Sequence, residues 1–130
     1  MAGEPILIVD DHPTNLKLAS LLLRGEGYDV RTAGDGAQAL AILDAFRPRL
    51  ILMDLQMPGL DGFELTRHLK TDPRTRDVLI LAVTSYAMKG DPDRAREAGC
   101  DGYVSKPIDT RTLPAVIARL LAGGAGEWPA

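Results

Sequence analysis

The stretch Leu50–Gly62, LILMDLQMPGLDG, decides the fold, because an apolar run stops in it on a single carboxylate and then breaks into Pro58 and Gly59. Leu50 to Met53 are apolar in succession, the pattern of a strand buried on both faces, as in a parallel sheet. Asp54 cannot stay unpaired in that interior, so it belongs at the strand's carboxyl end. In an open parallel sheet the crevice outside those ends is where ligands bind. Taken alone, Asp54 reads as a turn residue or a helix cap. A chemical role requires partners that reach the same edge.

Working toward the amino terminus, Pro5–Asp10 (PILIVD) is a second apolar run ending in acid, and Asp11 follows at once. Pro13 suits the first turn of a helix with Asp11 or His12 near its cap, and Leu16, Ala19, Leu22 and Leu23 supply an apolar face. Gly25 and Gly27 end it. Tyr28–Ala33 is a short strand. Asp35 opens a helix whose Ala39, Ile42, Leu43 and Phe46 share one face, and Pro48 stops it.

Toward the carboxyl terminus, a loop runs through Pro58 and Gly59, and Asp61 can cap a helix carrying Phe63, Leu65 and Leu69. His68 falls on its polar side. Val78–Thr84 (VLILAVT) is a buried strand ending on a hydroxyl, with Ser85 beside it. Asp91–Pro92 open a short charged helix to Ala98, with Ala95 and Ala98 as its core candidates; so thin an apolar face suits an element that moves. Gly102–Ser105 is the last strand, ending on Lys106–Pro107. Asp109 or Thr110 caps a final helix with the stripe Leu113, Val116, Ile117, Leu120 and Leu121. The expected division is one domain over residues 1–122 and a flexible glycine-rich tail over 123–130, in which Trp128 is either a stray aromatic or an anchor for a partner.

Strands alternating with helices, five of each, specify an α/β fold: a doubly wound parallel sheet with right-handed crossovers, flavodoxin-like. Its common strand order, 2-1-3-4-5, puts the switch point between the first and third strands. Those strands end in Asp10–Asp11 and in Asp54.

The 130 residues, 45% hydrophobic and 25% charged, suit one globular domain with a core of its own. No apolar run approaches the ~20 residues of a membrane span, and Met1–Pro5 is unlike a signal peptide, so the expected location is cytoplasmic, away from membranes. A net charge of −3 and the lack of a basic cluster argue against bound nucleic acid. The single cysteine, Cys100, reads as a small packing residue. His12 reads as a loop side chain, since no second ligand stands at zinc spacing.

Asp10, Asp11, Asp54, Thr84 and Lys106 therefore converge on one edge. Carboxylates about 4 Å apart repel by roughly 4 kcal/mol per pair at an effective dielectric of 20. Lys106 offsets one charge, and a divalent ion is the natural remainder. Oxygen ligands favour Mg²⁺ over zinc. A metal and an ammonium to neutralise a transferring group, a hydroxyl to donate to it and a carboxylate as nucleophile make a phosphoryl-transfer site.

With these residues in place the chain resembles the receiver domains of bacterial two-component response regulators, from Pro5 to Leu121. The matching motifs are the acidic pair of LIVDD, the stretch LILMDLQMPGLDG, the strand end AVTS and YVSKP. The stretch VTSYAMKGD is most similar to single-domain regulators of the cell-cycle type and to receivers of hybrid histidine kinases. The resemblance implies that Asp54 takes a phosphoryl group from a phosphohistidine on a histidine kinase or histidine phosphotransfer protein. It implies Mg²⁺ held by Asp11, Asp54 and the backbone carbonyl of Gln56, with Asp10 acting mostly through water. Thr84 and Lys106 would contact phosphoryl oxygens, Tyr103 would be the switch aromatic, and the Lys106–Pro107 bond is expected to be cis.

Phosphorylation would then alter the surface of the fourth helix, last strand and last helix for a downstream protein target, a surface through which two copies could also pair. Ser85 stands where alanine is more usual in the family. Gln56 and Tyr86 flank the phosphoryl position and predict slow self-hydrolysis. Met1 and the short ending favour a free-standing regulator over a fragment of a hybrid kinase.

Two other readings compete. A dehalogenase-like Mg²⁺-dependent phosphatase also uses a nucleophilic Asp, a hydroxyl and a Lys, but places a second Asp two residues after the first, where this chain has Gln56. A binding module that is never phosphorylated would keep the acidic cluster as a structural remnant.

Overall fold

The computed structural model describes residues 3–57, 60–84, 91–105 and 109–124, with the backbone alone for Gln56, Leu60, Asp61 and Asp91. In chain order the elements are β1 (Pro5–Val9), α1 (Pro13–Gly25), β2 (Asp29–Ala33), α2 (Gly36–Leu43), β3 (Leu50–Asp54), β4 (Gln56–Met57), β5 (Leu60–Asp61), α3 (Gly62–Thr71), β6 (Leu79–Thr84), α4 (Asp91–Ala98), β7 (Gly102–Ser105) and α5 (Thr112–Leu121). Five strands form one sheet in the order β2-β1-β3-β6-β7, every neighbouring pair parallel. This is the expected 2-1-3-4-5 order, counted over the sheet strands alone.

Side chains of a strand point alternately to its two faces, so each central strand divides its residues between two core layers. Leu7, Val9, Ile51, Met53, Ile80 and Ala82 pack with Ala39 and Leu43 of α2, Phe63 and Leu69 of α3, and Ala95 and Ala98 of α4. Ile6, Ile8, Leu50, Leu52, Leu81 and Val83 pack with Ala19 and Leu23 of α1 and with the stripe of α5. Every residue of β3 is buried, which is why its sequence reads as an unbroken apolar run.

Local chemistry sets the element ends. Pro13 occupies the first turn of α1, whose cap position is His12. Asp35 caps α2 by accepting a 2.8 Å hydrogen bond from the Gln38 N–H. The α2 helix is shorter than its apolar spacing suggests: it ends at Leu43, and Phe46 packs from the following turn, with Arg31 4.9 Å above its ring. Asp109 accepts from the N–H groups of Arg111, at 2.8 Å, and Thr112, and so orders the turn that leads into α5.

The stretch after β3 is more ordered than the plain loop expected there. Gln56 and Met57 pair antiparallel with Asp61 and Leu60, and the chain then enters α3 at Gly62. A Cβ on Gly62 would stand 2.8 Å from the Leu55 Cα, so glycine permits the helix to start against the end of β3. Cys100 is buried as expected, and burial pushes its thiol up to about 11. His68 is exposed, in agreement with its place on the polar side of α3. The segment 85–90, the residues Lys106 and Pro107 with the expected cis bond, and the tail with Trp128 lie outside the described residues.

Candidate phosphoryl-transfer site

The carboxyl edge of the sheet gathers side chains far apart in sequence. Asp10 follows β1 directly and Asp54 closes β3; both are buried, at 5% and 2% exposure. Val9 pairs with Met53 across β1 and β3, which brings Asp10 and Asp54 to the same level of the sheet. Asp54 pairs with Val83 on β6, and Thr84, 1% exposed, stands one residue further out. Thr84 in turn pairs with Ser105 of β7, the residue before Lys106. Lys106 itself, with Ser85 and Tyr86, lies outside the described residues, as does the Gln56 side chain.

Asp10, Asp11, His12 and Asp54 each offer one ligand atom, and these atoms all lie within 4.8 Å of one another. The Asp11 Oδ1 atom is shut off from solvent and accepts no hydrogen bond among the described residues. A carboxylate oxygen buried in that condition, with two further carboxylates beside it, is suited to a hard divalent cation. The donor set therefore fits Mg²⁺.

The contact of His12 and the place of Asn15 were not foreseen. His12, expected as a plain loop side chain, turns back over the acids: its main-chain N–H donates to Asp10 Oδ1 at 2.9 Å. Its Nδ1 lies 3.2 Å from Asp10 Oδ1 and 3.1 Å from Asp11 Oδ1. His12 does lie in the loop before α1, as expected; the unexpected part is the contact of its exposed ring with the two residues just before it. Asn15, on the first turns of α1, lines the small cavity between α1 and the strand ends together with Asp10 and Asp54. Its place in the first turn of α1, the helix that follows the acidic pair directly, was the available signal.

Tyr103 is buried, 3% exposed, in the layer beneath α4, and pairs with Ala82 on β6. The α4 helix itself rests on Ala95 and Ala98, with Arg94 4.2 Å above the Phe63 ring.

The model of the response regulator receiver domain matches residues 6–118, nearly the whole of this fold and every described group of the site. The chain belongs to the receiver-domain family of response regulators. The receiver is similar to the polar-differentiation response regulator DivK of Brucella anthropi, 44% identical over 103 residues that cover 79% of this chain and 84% of that protein. Among solved structures, a CheY-like receiver domain protein from Methanospirillum hungatei superposes with a TM-score of 0.87 at 30% identity, covering 94% of this chain and 96% of its own. The receiver domain of a Pseudomonas aeruginosa sensor histidine kinase, solved with a magnesium ion coordinated in its active site cleft, gives 0.83 at 36% identity over 93% of this chain and 99% of its own. The receiver is thus a signalling domain of the two-component class rather than a classical enzyme. Among the described residues no helix is long and apolar enough to cross a membrane.

Proposed function

We propose that this receiver accepts a phosphoryl group on Asp54 from a phosphohistidine of a histidine kinase or histidine phosphotransfer protein. The observation that carries the reading is the meeting of Asp10, Asp11 and Asp54 within 4.8 Å at the sheet's carboxyl edge. A carboxylate oxygen of Asp54 attacks phosphorus in line, the P–O bond forms as the P–N bond to the donor imidazole breaks, and the imidazole leaves with a proton. Asp11, Asp54 and the backbone carbonyl of Gln56 would hold Mg²⁺, with Asp10 acting through water. When bound, the ion supplies the positive charge that lets an anionic phosphoryl group approach an anionic site.

Thr84 donates its hydroxyl to one phosphoryl oxygen, and Lys106 pairs with another. The acylphosphate adds about −1.5 to −2 of charge and three acceptor oxygens beside Thr84. Drawing Thr84 toward them changes the packing around Tyr103 and so the surface of α4, β7 and α5. That surface would signal to a downstream protein and could pair two copies. The receiver occupies residues 1–122 in this reading, works in the cytoplasm and binds neither nucleic acid nor membrane.

The test is incubation with acetyl phosphate and Mg²⁺, followed by intact-protein mass spectrometry. One added phosphoryl group per chain is expected, lost with a chelator and in Asp54→Asn. No mass gain, or steady turnover of small phosphate esters, contradicts the proposal.

A further inference from the structure

We propose that a cavity at the amino edge of the sheet is the seat of this chain's own residues 125–130 (AGEWPA), with Glu127 paired to Arg49 and the Trp128 ring laid over the apolar floor beside Arg47. The cavity lies at the end of the strands opposite the phosphoryl-transfer site. Its occupant is therefore decided separately from the role of Asp54.

The cavity, of about 440 Å³, is walled by the residues that lead into β3 and β6 and by the end of α5. Arg47, Arg49 and Arg74 line it against a single acid, Asp77. Arg74 is met by Asp72 at 3.1 Å. Arg47 and Arg49, both exposed, are held instead by main-chain carbonyls, of Leu43 and, at 3.1 Å, of Leu121, and neither pairs with a carboxylate among the described residues. A guanidinium bonded to one carbonyl keeps further N–H donors and a planar face on which an aromatic ring stacks. Val78, Leu79 and Leu120 supply the apolar floor. These walls match an aromatic side chain with a carboxylate next to it.

The chain brings that chemistry to the rim. Gly123 lines the cavity, and its φ of +88° turns the backbone off the axis of α5 there; the Gly123 N–H donates to the Leu120 carbonyl at 3.0 Å and the Gly124 N–H to the Arg119 carbonyl at 2.9 Å. Residues 125–130, outside the described ones, carry Glu127 and Trp128, the single tryptophan of the sequence. At up to about 3.6 Å per residue, Trp128 reaches about 14 Å from Gly124, enough to lie across a cavity whose wall begins one residue earlier. Glu127 precedes Trp128, and Arg49, bonded to Leu121, is the arginine held at the point where the chain leaves α5. So short a connection gives an effective concentration of millimolar order, at which contacts that are modest singly suffice.

The experiment uses the untagged full chain, in which tryptophan emission comes from Trp128 alone. Its emission should be blue-shifted, and its quenching by acrylamide several-fold weaker, relative to the same chain unfolded in urea. Nuclear Overhauser contacts should join the indole protons to the methyl groups of Leu79 and Leu120. Glu127→Arg should raise the quenching toward the unfolded value, and so should high salt, which screens an exposed pair. Adding Arg49→Glu to Glu127→Arg should restore the protection, a rescue that a role of Arg49 in folding alone does not produce. Equal quenching of the folded and unfolded chains, or indole contacts to residues elsewhere, overturns the proposal whatever the double variant does. Protection that falls away on dilution assigns residues 125–130 to a second copy, and protection indifferent to both Glu127→Arg and salt removes the arginines from the account. Either result overturns it as well.

Discussion

Lys70 and Asp101 are 31 residues apart in sequence, and their charged atoms meet at 2.9 Å. Lys70, near the end of α3, also donates to the Val78 carbonyl at 2.7 Å, and Asp101 accepts from the Ile80 N–H at 2.8 Å. One ion pair thus ties α3, the start of β6 and the approach to β7, at the end of the sheet away from the phosphoryl-transfer site. The partners keep 20% and 31% side-chain exposure, so water screens the charge, and the carbonyl and N–H bonds carry much of the value. Lys70→Met and Asp101→Ala should each lower stability by about 1–3 kcal/mol in urea denaturation, and the double variant should cost less than their sum.

At Gly62 the obstacle to a side chain is the Leu55 backbone, 2.8 Å from where a Cβ would stand. Backbone cannot swing aside as a side chain can. Gly62→Ala should therefore cost about 1–3 kcal/mol despite the better helix propensity of alanine. Because Leu55 follows Asp54, the same variant should also slow acetyl phosphate labelling. Wild-type stability together with wild-type labelling contradicts the close-approach explanation.

The acidic cluster should be a liability until a cation binds. Removing one charge by Asp54→Asn should raise stability in chelator by about 1–3 kcal/mol. Differential scanning calorimetry with and without Mg²⁺ checks it: the wild type gains melting temperature as Mg²⁺ is added, and the variant gains little. A variant less stable than the wild type in chelator would mean that Asp54 is held by stabilising contacts that outweigh the repulsion.

Burial raises the Cys100 thiol from 9.0 to about 11, with the Thr66 hydroxyl, 3.9 Å away, acting in the opposite direction. The unfolded chain loses this proton near 9 and the folded chain near 11, so the associated stability is present below pH 9 and drains away as pH rises toward 11. Between these values the wild type should lose more stability than Cys100→Ala, measured as the shift in urea midpoint. At neutral pH the buried thiol should react with maleimide on the timescale of unfolding, without selective labelling of the native state.

The parts of this architecture that sequence made legible are those built from runs and periods. The runs Leu50–Met53 and Ile6–Val9 are continuous because α1 and α5 cover one face and α2, α3 and α4 the other. The same runs put Asp10, Asp54 and Thr84 at strand ends, where the structure has them. What stayed hidden depends on contacts without a period. Lys70 and Asp101 are polar residues in separate elements, and neither disturbs a hydrophobic pattern. The pairing of β4 with β5 spans two residues on each side, too few for alternation to show. The contact of His12 with the preceding acids stayed hidden because a turn, set by one bond from its own N–H, brings its ring back over them.

The alternation of β3 between the two layers sets a limit on how this chain can drift. Leu50 and Leu52 serve one layer, Ile51 and Met53 the other, and Asp54 emerges where both run out. Exchanging one aliphatic residue for another perturbs a single layer. Deleting one residue swaps the allegiance of the remaining segment and retracts the carboxylate by about 3.3 Å, well out of reach of its partners on the neighbouring strands. Descendants of this chain can therefore wander in composition along β3, but the loss of a single residue there severs message from scaffold.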